Sequence, residues 1–237
     1  MTGKIRGDYL QGFKDGLPTG LGYLSVSFGF GILAVNLGLS VCAAVGISAS
    51  NLTSAGQVAG VRIIAAGGTF AEIVLALLVI NLRYALMGVS LTQRLSDRYS
   101  VWHRILTSFF LTDEIFAVAS ARNVPVTPAY MYGLGTLPFI GWTVGTLLGA
   151  AAGEILPPTV TAALGIAIYG MFVAIVVPSM KADRGVLLSV GIAILLSCAM
   201  YYVPCLSFIP DGFAIILCAL VSSCIIAALR PVREADA

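Results

Sequence analysis

Apolar residues run along this chain in long blocks separated by short polar intervals. Such blocks suit helices in lipid, which must satisfy every backbone amide internally because hydrocarbon offers no partner. Crossing ~30 Å of hydrocarbon takes about 20 mainly apolar residues. Eight blocks come near that length: Leu17–Gly38, Leu39–Gly67, Phe70–Leu91, Ile105–Ala121, Thr127–Gly153, Thr159–Met180, Val186–Val203 and Gly212–Leu229. The longest hydrophilic interval, Thr92–Arg104, is short enough to be only a loop or an interfacial helix. The expected architecture is an all-α integral membrane protein: a polytopic helix bundle of eight hydrophobic segments forming one membrane domain over residues 1–237, with residues 1–16 and 230–237 as tails.

Two blocks depart from the pattern. The second is interrupted by the polar run Ser50–Gln57, and the fourth is short, with Asp113 and Glu114 at its middle. Charge placement singles out the same two blocks. Cytoplasmic loops retain Lys and Arg, and Lys4, Arg6 and Lys14 precede the first block, Lys181 and Arg184 follow the sixth, and Arg230 and Arg233 follow the eighth. Both termini are therefore expected inside. If all eight blocks cross, however, the interval carrying Arg94, Arg98 and Arg104 falls outside. If the second and fourth blocks dip in and return, every basic loop faces the cytoplasm. Six crossings with two broken or re-entrant segments in an inverted repeat, and eight crossings with one violation, both remain open. Irregular backbone at membrane depth is tolerated only around a cavity or within protein, which is where transporters place substrate.

Composition agrees with a lipid solvent. Hydrophobic residues make up 59% of the chain and charged residues 10%, too few to coat a water-facing surface, for which about 25% is usual. A net charge of +2 without a basic block gives nucleic acid no footprint. Cys42, Cys198, Cys205, Cys218 and Cys224 lie in or beside apolar runs without metal-ligand spacing and read as packing residues. No removable signal sequence is expected at the polar N-terminus, and neither a metal nor a cofactor is expected. His103 is the single histidine, and no zinc-protease, phosphate-loop or nucleophile-elbow motif occurs, so an enzyme is not expected.

Ionised side chains at the bilayer centre cost ~2.5–3.5 kcal/mol even on the lenient insertion scale, so those that occur there are functional candidates. Arg62, Glu72, Arg83, Asp113 and Glu114 lie within apolar blocks; the structural alternative for each is a salt bridge or snorkelling at a helix end. Glu72 and Arg83 share one helical face but stand ~16 Å apart along the axis, so each needs a partner elsewhere, while Asn81 lies on nearly the opposite side of Glu72. The uncharged stretch Asn51–Gln57 offers hydroxyls, amides and, if the helix breaks at Gly56, free backbone groups. A half-helix N-terminus attracts a carboxylate and exposed carbonyls attract an ammonium, so Asn51, Thr53, Ser54 and Gln57 suit a zwitterion such as an amino acid. Adjacent Asp113 and Glu114 resist being ionised together in low dielectric, which equips one of them to carry a coupling proton. Gly20-Leu21-Gly22, Gly29-Phe30-Gly31 and the glycines from Gly141 to Gly149 permit close helix approach.

Taken in order, Asn51-Leu52-Thr53-Ser54-Ala55-Gly56-Gln57, Asn81-Leu82-Arg83-Tyr84-Ala85-Leu86 and Leu111-Thr112-Asp113-Glu114 resemble the AzlC family of branched-chain amino acid permeases, from about Gly16 to Arg230 and most strongly before Arg122. The resemblance implies export of leucine, isoleucine, valine and analogues across a bacterial inner membrane, together with a small AzlD-type membrane partner. It marks Ser54, Gly56 and Gln57, then Asn81 and Arg83, then Thr112, Asp113 and Glu114 as the positions matching the family's motifs. Val58 stands where an aromatic often follows the glutamine, and Arg62 is an unexpected charge, so specificity is less secure than membership. Rival readings are a permease for another small solute and a non-transporting membrane scaffold or regulatory subunit.

Overall fold

The computed structural model describes residues 2–155, 183–203 and 211–229 with a few isolated positions between them, and these fold as helices. In chain order they are α1 (Thr2–Asp15), α2 (Leu17–Asn36), α3 (Val41–Ser50), α4 (Ser54–Ala65), α5 (Phe70–Thr92), α6 (Val101–Ser108), α7 (Asp113–Ser120), α8 (Pro128–Ile155), α9 (Arg184–Tyr202) and α10 (Asp211–Leu229). Among the described residues there is no strand, only an isolated bridge between Leu95 and Val126. The sixth block, Thr159–Met180, lies outside the described residues except for isolated positions.

Among the described residues four helices, α2, α5, α8 and α9, are long and apolar enough to cross a membrane. Two of them need lipid most plainly. The apolar window of α9 has no buried residue and that of α5 has almost none; Leu78, Leu82, Leu86 and Val89 of α5 and Leu195 of α9 stand exposed. Water does not tolerate an apolar surface of that extent.

The second and fourth blocks are each two helices. Ser40 caps α3 by accepting the amide of Ala43 at 3.2 Å, and α3 ends where Asn51 turns to extended backbone at φ −151°, ψ 121°. The chain re-enters helix at Ser54. The break therefore spans Asn51–Thr53, a turn earlier than Gly56, which lies inside α4 with its amide directed at Thr53 Oγ1. In the fourth block α6 ends at Ser108 and α7 begins at Asp113, so the two carboxylates occupy the first turn of a helix instead of the middle of one.

The chain divides into two compact units. The first takes the described residues of Met1–Gln57 and Asn81–Ile168. Its main packing is α2 on α8, along the glycines that the sequence marks for close approach. Gly141 lies against the backbone of Gly20, and Gly149 against that of Phe28, so closely that a Cβ at either position would collide with main-chain atoms. Phe30, Trp142 and Ala150 are buried beside this seam. Residues 2–15, expected as part of a tail, form a helix docked on α8: Tyr9 bonds Thr136 at 3.2 Å, Asp8 accepts from Thr127 at 2.9 Å and Asp15 accepts from Tyr130 at 2.8 Å. A second apolar core joins Leu91, Leu111, Ile115, Met131 and Leu134.

The second unit takes the described residues of Val58–Ile80 and Tyr169–Ala237. Here α9 packs on α10, and Ile63, Ala76 and Ile216 form a small core flanked by Ile73 and Val79. Gly67, at φ 72°, supplies the left-handed residue that closes α4.

Candidate functional site

The chemistry gathers within the first unit, around the two helix breaks. Thr53 and Thr112 hold equivalent places in them. Thr53 Oγ1 receives the amide of Gly56 and its carbonyl the amide of Gln57, at 3.4 and 2.9 Å; Thr112 does the same for Ile115 and Phe116, at 3.4 and 2.8 Å. The preceding leucines, Leu52 and Leu111, are buried, as are both threonines. Each break thus starts a half-helix, α4 or α7, whose N-terminus carries a partial positive charge.

Each threonine also accepts a tyrosine hydroxyl. Tyr84 of α5 donates to Thr53 at 3.3 Å, and Tyr23 of α2 donates to Thr112 at 2.7 Å. The helix preceding one break is therefore tied to the other break. Tyr23 lies 2.5 Å from Glu114 Oε2 as well. Thr53 donates to Asn81 Oδ1 at 2.9 Å, so Asn81 is a partner of the first break.

Arg83 bridges the two. Its Nη1 meets Asp113 Oδ2 at 2.6 Å, and its Nη2 donates to the Tyr84 hydroxyl at 3.2 Å. Asp113 is thus linked through Arg83 and Tyr84 to Thr53 at the start of α4. The two side chains of the ion pair remain 42% and 41% exposed, and Glu114 is exposed, so a solute can reach the charges without dismantling a core. A guanidinium held by a carboxylate and a phenol presents a planar donor set whose geometry suits a carboxylate.

Gln57 stands apart from this open face. It is 2% exposed. Its Oε1 accepts from Trp142 Nε1 and Ser48 Oγ, both at 3.2 Å, and its Nε2 donates to the Asn51 carbonyl. Ser48 pairs in turn with Thr146 at 2.7 Å. The glutamine thereby satisfies a carbonyl left orphaned by the end of α3 and ties both halves of the broken segment to α8. Trp142 packs edge-on against Tyr23, ring centroids 5.3 Å apart, giving a second link between the two breaks.

Of the residues singled out in the sequence, Asn51, Thr53, Ser54, Gly56, Gln57, Asn81, Arg83, Thr112, Asp113 and Glu114 belong to this neighbourhood. Glu72 and Arg62 belong to the other unit. Glu72 is a buried helix-end residue: its amide donates to Thr69 Oγ1 at 3.3 Å, and its carboxylate accepts that hydroxyl at 3.2 Å. Arg62 lies in the last turn of α4, where a cation suits the helix dipole. Tyr23, Tyr84, Trp142, Ser48 and Thr146 complete the network without having been singled out. Tyr84 stood inside the second motif, but the others had no signal beyond being polar or aromatic in apolar helices.

The AzlC protein family matches residues 18–156, the part holding both breaks. The Escherichia coli inner membrane protein YgaZ is 32% identical over 180 residues, covering 73% of this chain and 74% of that protein. An uncharacterized membrane protein of Archaeoglobus fulgidus is 31% identical over 177 residues, covering 73% and 76%. One from Helicobacter pylori is 26% identical over 154 residues, covering 62% and 67%. No solved structure matches at a significant level.

Proposed function

This chain belongs to the AzlC family of membrane proteins, and we propose that it is a permease exporting branched-chain amino acids and their analogues from a bacterial cell. The observation that carries this reading is the coupling of two helix breaks through Arg83, whose partners are the first residue of α7 and a tyrosine bonded to the cap of α4. A scaffold has no use for a half-exposed ion pair beside two helix N-termini, since helices adhere in lipid through small residues alone. A zwitterion uses every part of the arrangement: Arg83 and the α4 or α7 terminus receive its carboxylate, and Asp113 or Glu114 receives its ammonium. Where Glu114 receives the ammonium, Asp113 displaced from Arg83 by the substrate carboxylate is left without a counterion and takes up the coupling proton.

We assign the two broken segments to an inverted repeat, supported by the crossed Tyr84–Thr53 and Tyr23–Thr112 bonds, and alternating access to motion of one repeat against the other. The chain acts in the cytoplasmic membrane with both termini inside and a small AzlD-type protein beside it. In a cysteine-free background, Arg98→Cys is expected to react with an impermeant maleimide only in inverted vesicles. Reaction in intact cells would establish that the segments cross fully.

The function is tested in proteoliposomes containing the chain with and without an AzlD-type partner. Counterflow of labelled leucine or valine is expected, stimulated by unlabelled substrate on the opposite side. A folded protein that moves neither under both conditions is a scaffold or subunit, and one that moves only an unrelated solute is a permease of other specificity.

A further inference from the structure

We propose that the first unit carries a binding site for an anionic phospholipid, separate from the solute site, with the phosphate held between Arg94 and Arg122 and an acyl chain lodged beyond Leu95. Two hollows meet at that leucine. One, of about 420 Å³, is lined by Arg94, Arg122, Gln93 and Asn123, all donors suited to phosphate oxygens. The other, of about 290 Å³, is mainly apolar, lined by Val89, Leu91, Leu111 and Met131, with Arg104 also on its wall. Leu95 forms part of both walls. A polar, cationic recess next to an apolar one matches the two ends of a lipid molecule, whereas a free anion would use the first alone.

The recess is built before any ligand arrives. Ser96 donates its amide to the Val126 carbonyl at 2.9 Å, and Val126 donates to the Arg94 carbonyl at 2.8 Å. These two bonds fasten the loop after α5 to the loop before α8, and Arg94 Nη1 donates to the Arg122 carbonyl at 3.5 Å, which brings the two arginines to one recess. The Arg122 guanidinium lies 3.7 Å over the Tyr130 ring, which fixes its plane. Its Nη1 is buried and has no hydrogen-bond partner among the described residues. A buried, charged donor left unpaired is costly, and a phosphate oxygen in the recess removes that cost. Charge balance favours the same ligand: the interval from Arg94 to Arg122 holds Arg98 and Arg104 as well, against Asp97, Asp113 and Glu114, of which Asp113 is engaged by Arg83 and Glu114 by Tyr23.

The site is tested on the delipidated full chain in detergent by native mass spectrometry and thermal stability. The probes are phosphatidylglycerol, phosphatidylcholine, chainless glycerophosphoglycerol and inorganic phosphate. Phosphatidylglycerol is expected to bind and to raise the melting temperature. The Arg94→Gln/Arg122→Gln protein is expected to bind it at least about tenfold more weakly, the loss of two interfacial cations, and exposed Arg94→Gln alone is expected to weaken it severalfold. Arg98→Gln, which lines neither hollow, leaves it unchanged. Equal binding of phosphatidylcholine, an equal loss in Arg98→Gln, or no loss in either Arg94 variant would overturn the proposal. Full competition by inorganic phosphate or the chainless headgroup would reassign the recess to free anions. Each result is a binding measurement and leaves the transport reading untouched.

Discussion

Asp113→Asn is expected to lower leucine or valine flux by more than tenfold while costing little stability, and to remove the dependence of the remaining flux on a proton gradient. The two effects separate because of where the pair sits. A fully buried ion pair that loses one member forfeits about 3–5 kcal/mol, but Arg83 and Asp113 are two-fifths exposed, so solvent screening brings the structural loss to about 1 kcal/mol or less. Transport has no such relief. Asparagine keeps a hydrogen-bond acceptor for Arg83 at 2.6 Å but can neither neutralise the guanidinium nor exchange a proton. Arg83→Gln is expected to lose flux equally, by removing the planar donor set that receives a carboxylate. The double variant Arg83→Gln/Asp113→Asn decides between mechanism and mere adhesion. It restores charge balance, so a purely structural pair would regain near-normal flux, whereas a working pair stays inactive in a protein that folds well.

The long helices were legible because a single physical rule dictates them. Lipid demands unbroken internal hydrogen bonding, and α2 and α5 begin at the first residues of the blocks read from the sequence, Leu17 and Phe70. The breaks were legible for the opposite reason: Asn51, Thr53 and Gln57 have no place on a lipid-facing helix, nor do Asp113 and Glu114. The position of the first break was not. Glycine is a usual place to end a helix, yet Gly56 is held helical because Thr53 caps its amide, and capping strength depends on a side-chain rotamer that composition does not reveal. Nor was the docking of α1 visible, since a short polar segment containing Gly7 and Gly12 has weak helical propensity. Its helix is stabilised by contact, with Gly12 lying against the backbone of Tyr130. Tyr23, Trp142 and Thr146 were silent because an aromatic or a hydroxyl in a membrane helix is ordinarily packing. Their roles arise from partners far along the chain, as with Tyr23 and Thr112.

The buried glutamine gives the second large effect, of a different kind from the first. Gln57→Ala is expected to cost about 2–5 kcal/mol and to reduce the yield of folded protein. The substitution strands three polar groups at once: the Trp142 indole N–H, the Ser48 hydroxyl and the Asn51 carbonyl. Leaving one buried polar group unpaired costs about 1–3 kcal/mol. Thr146 can recover part of this through its bond to Ser48, but nothing described replaces the partner of the Trp142 nitrogen. Gln57→Glu separates the stabilising role from direct contact with substrate. Protonated glutamate keeps an acceptor for Trp142 and Ser48 and an O–H donor for the Asn51 carbonyl, so it should fold better than the alanine variant at low pH and lose that advantage when ionised, because a buried carboxylate would face a carbonyl oxygen. Trp142→Phe removes one of the stranded donors, so combining it with Gln57→Ala is expected to cost less than the sum of the two single changes, a coupling read from thermal or denaturant unfolding in detergent. If Gln57→Ala instead unfolds like the parent and loses only substrate affinity, the glutamine is a ligand of the transported solute and the break is held by other means.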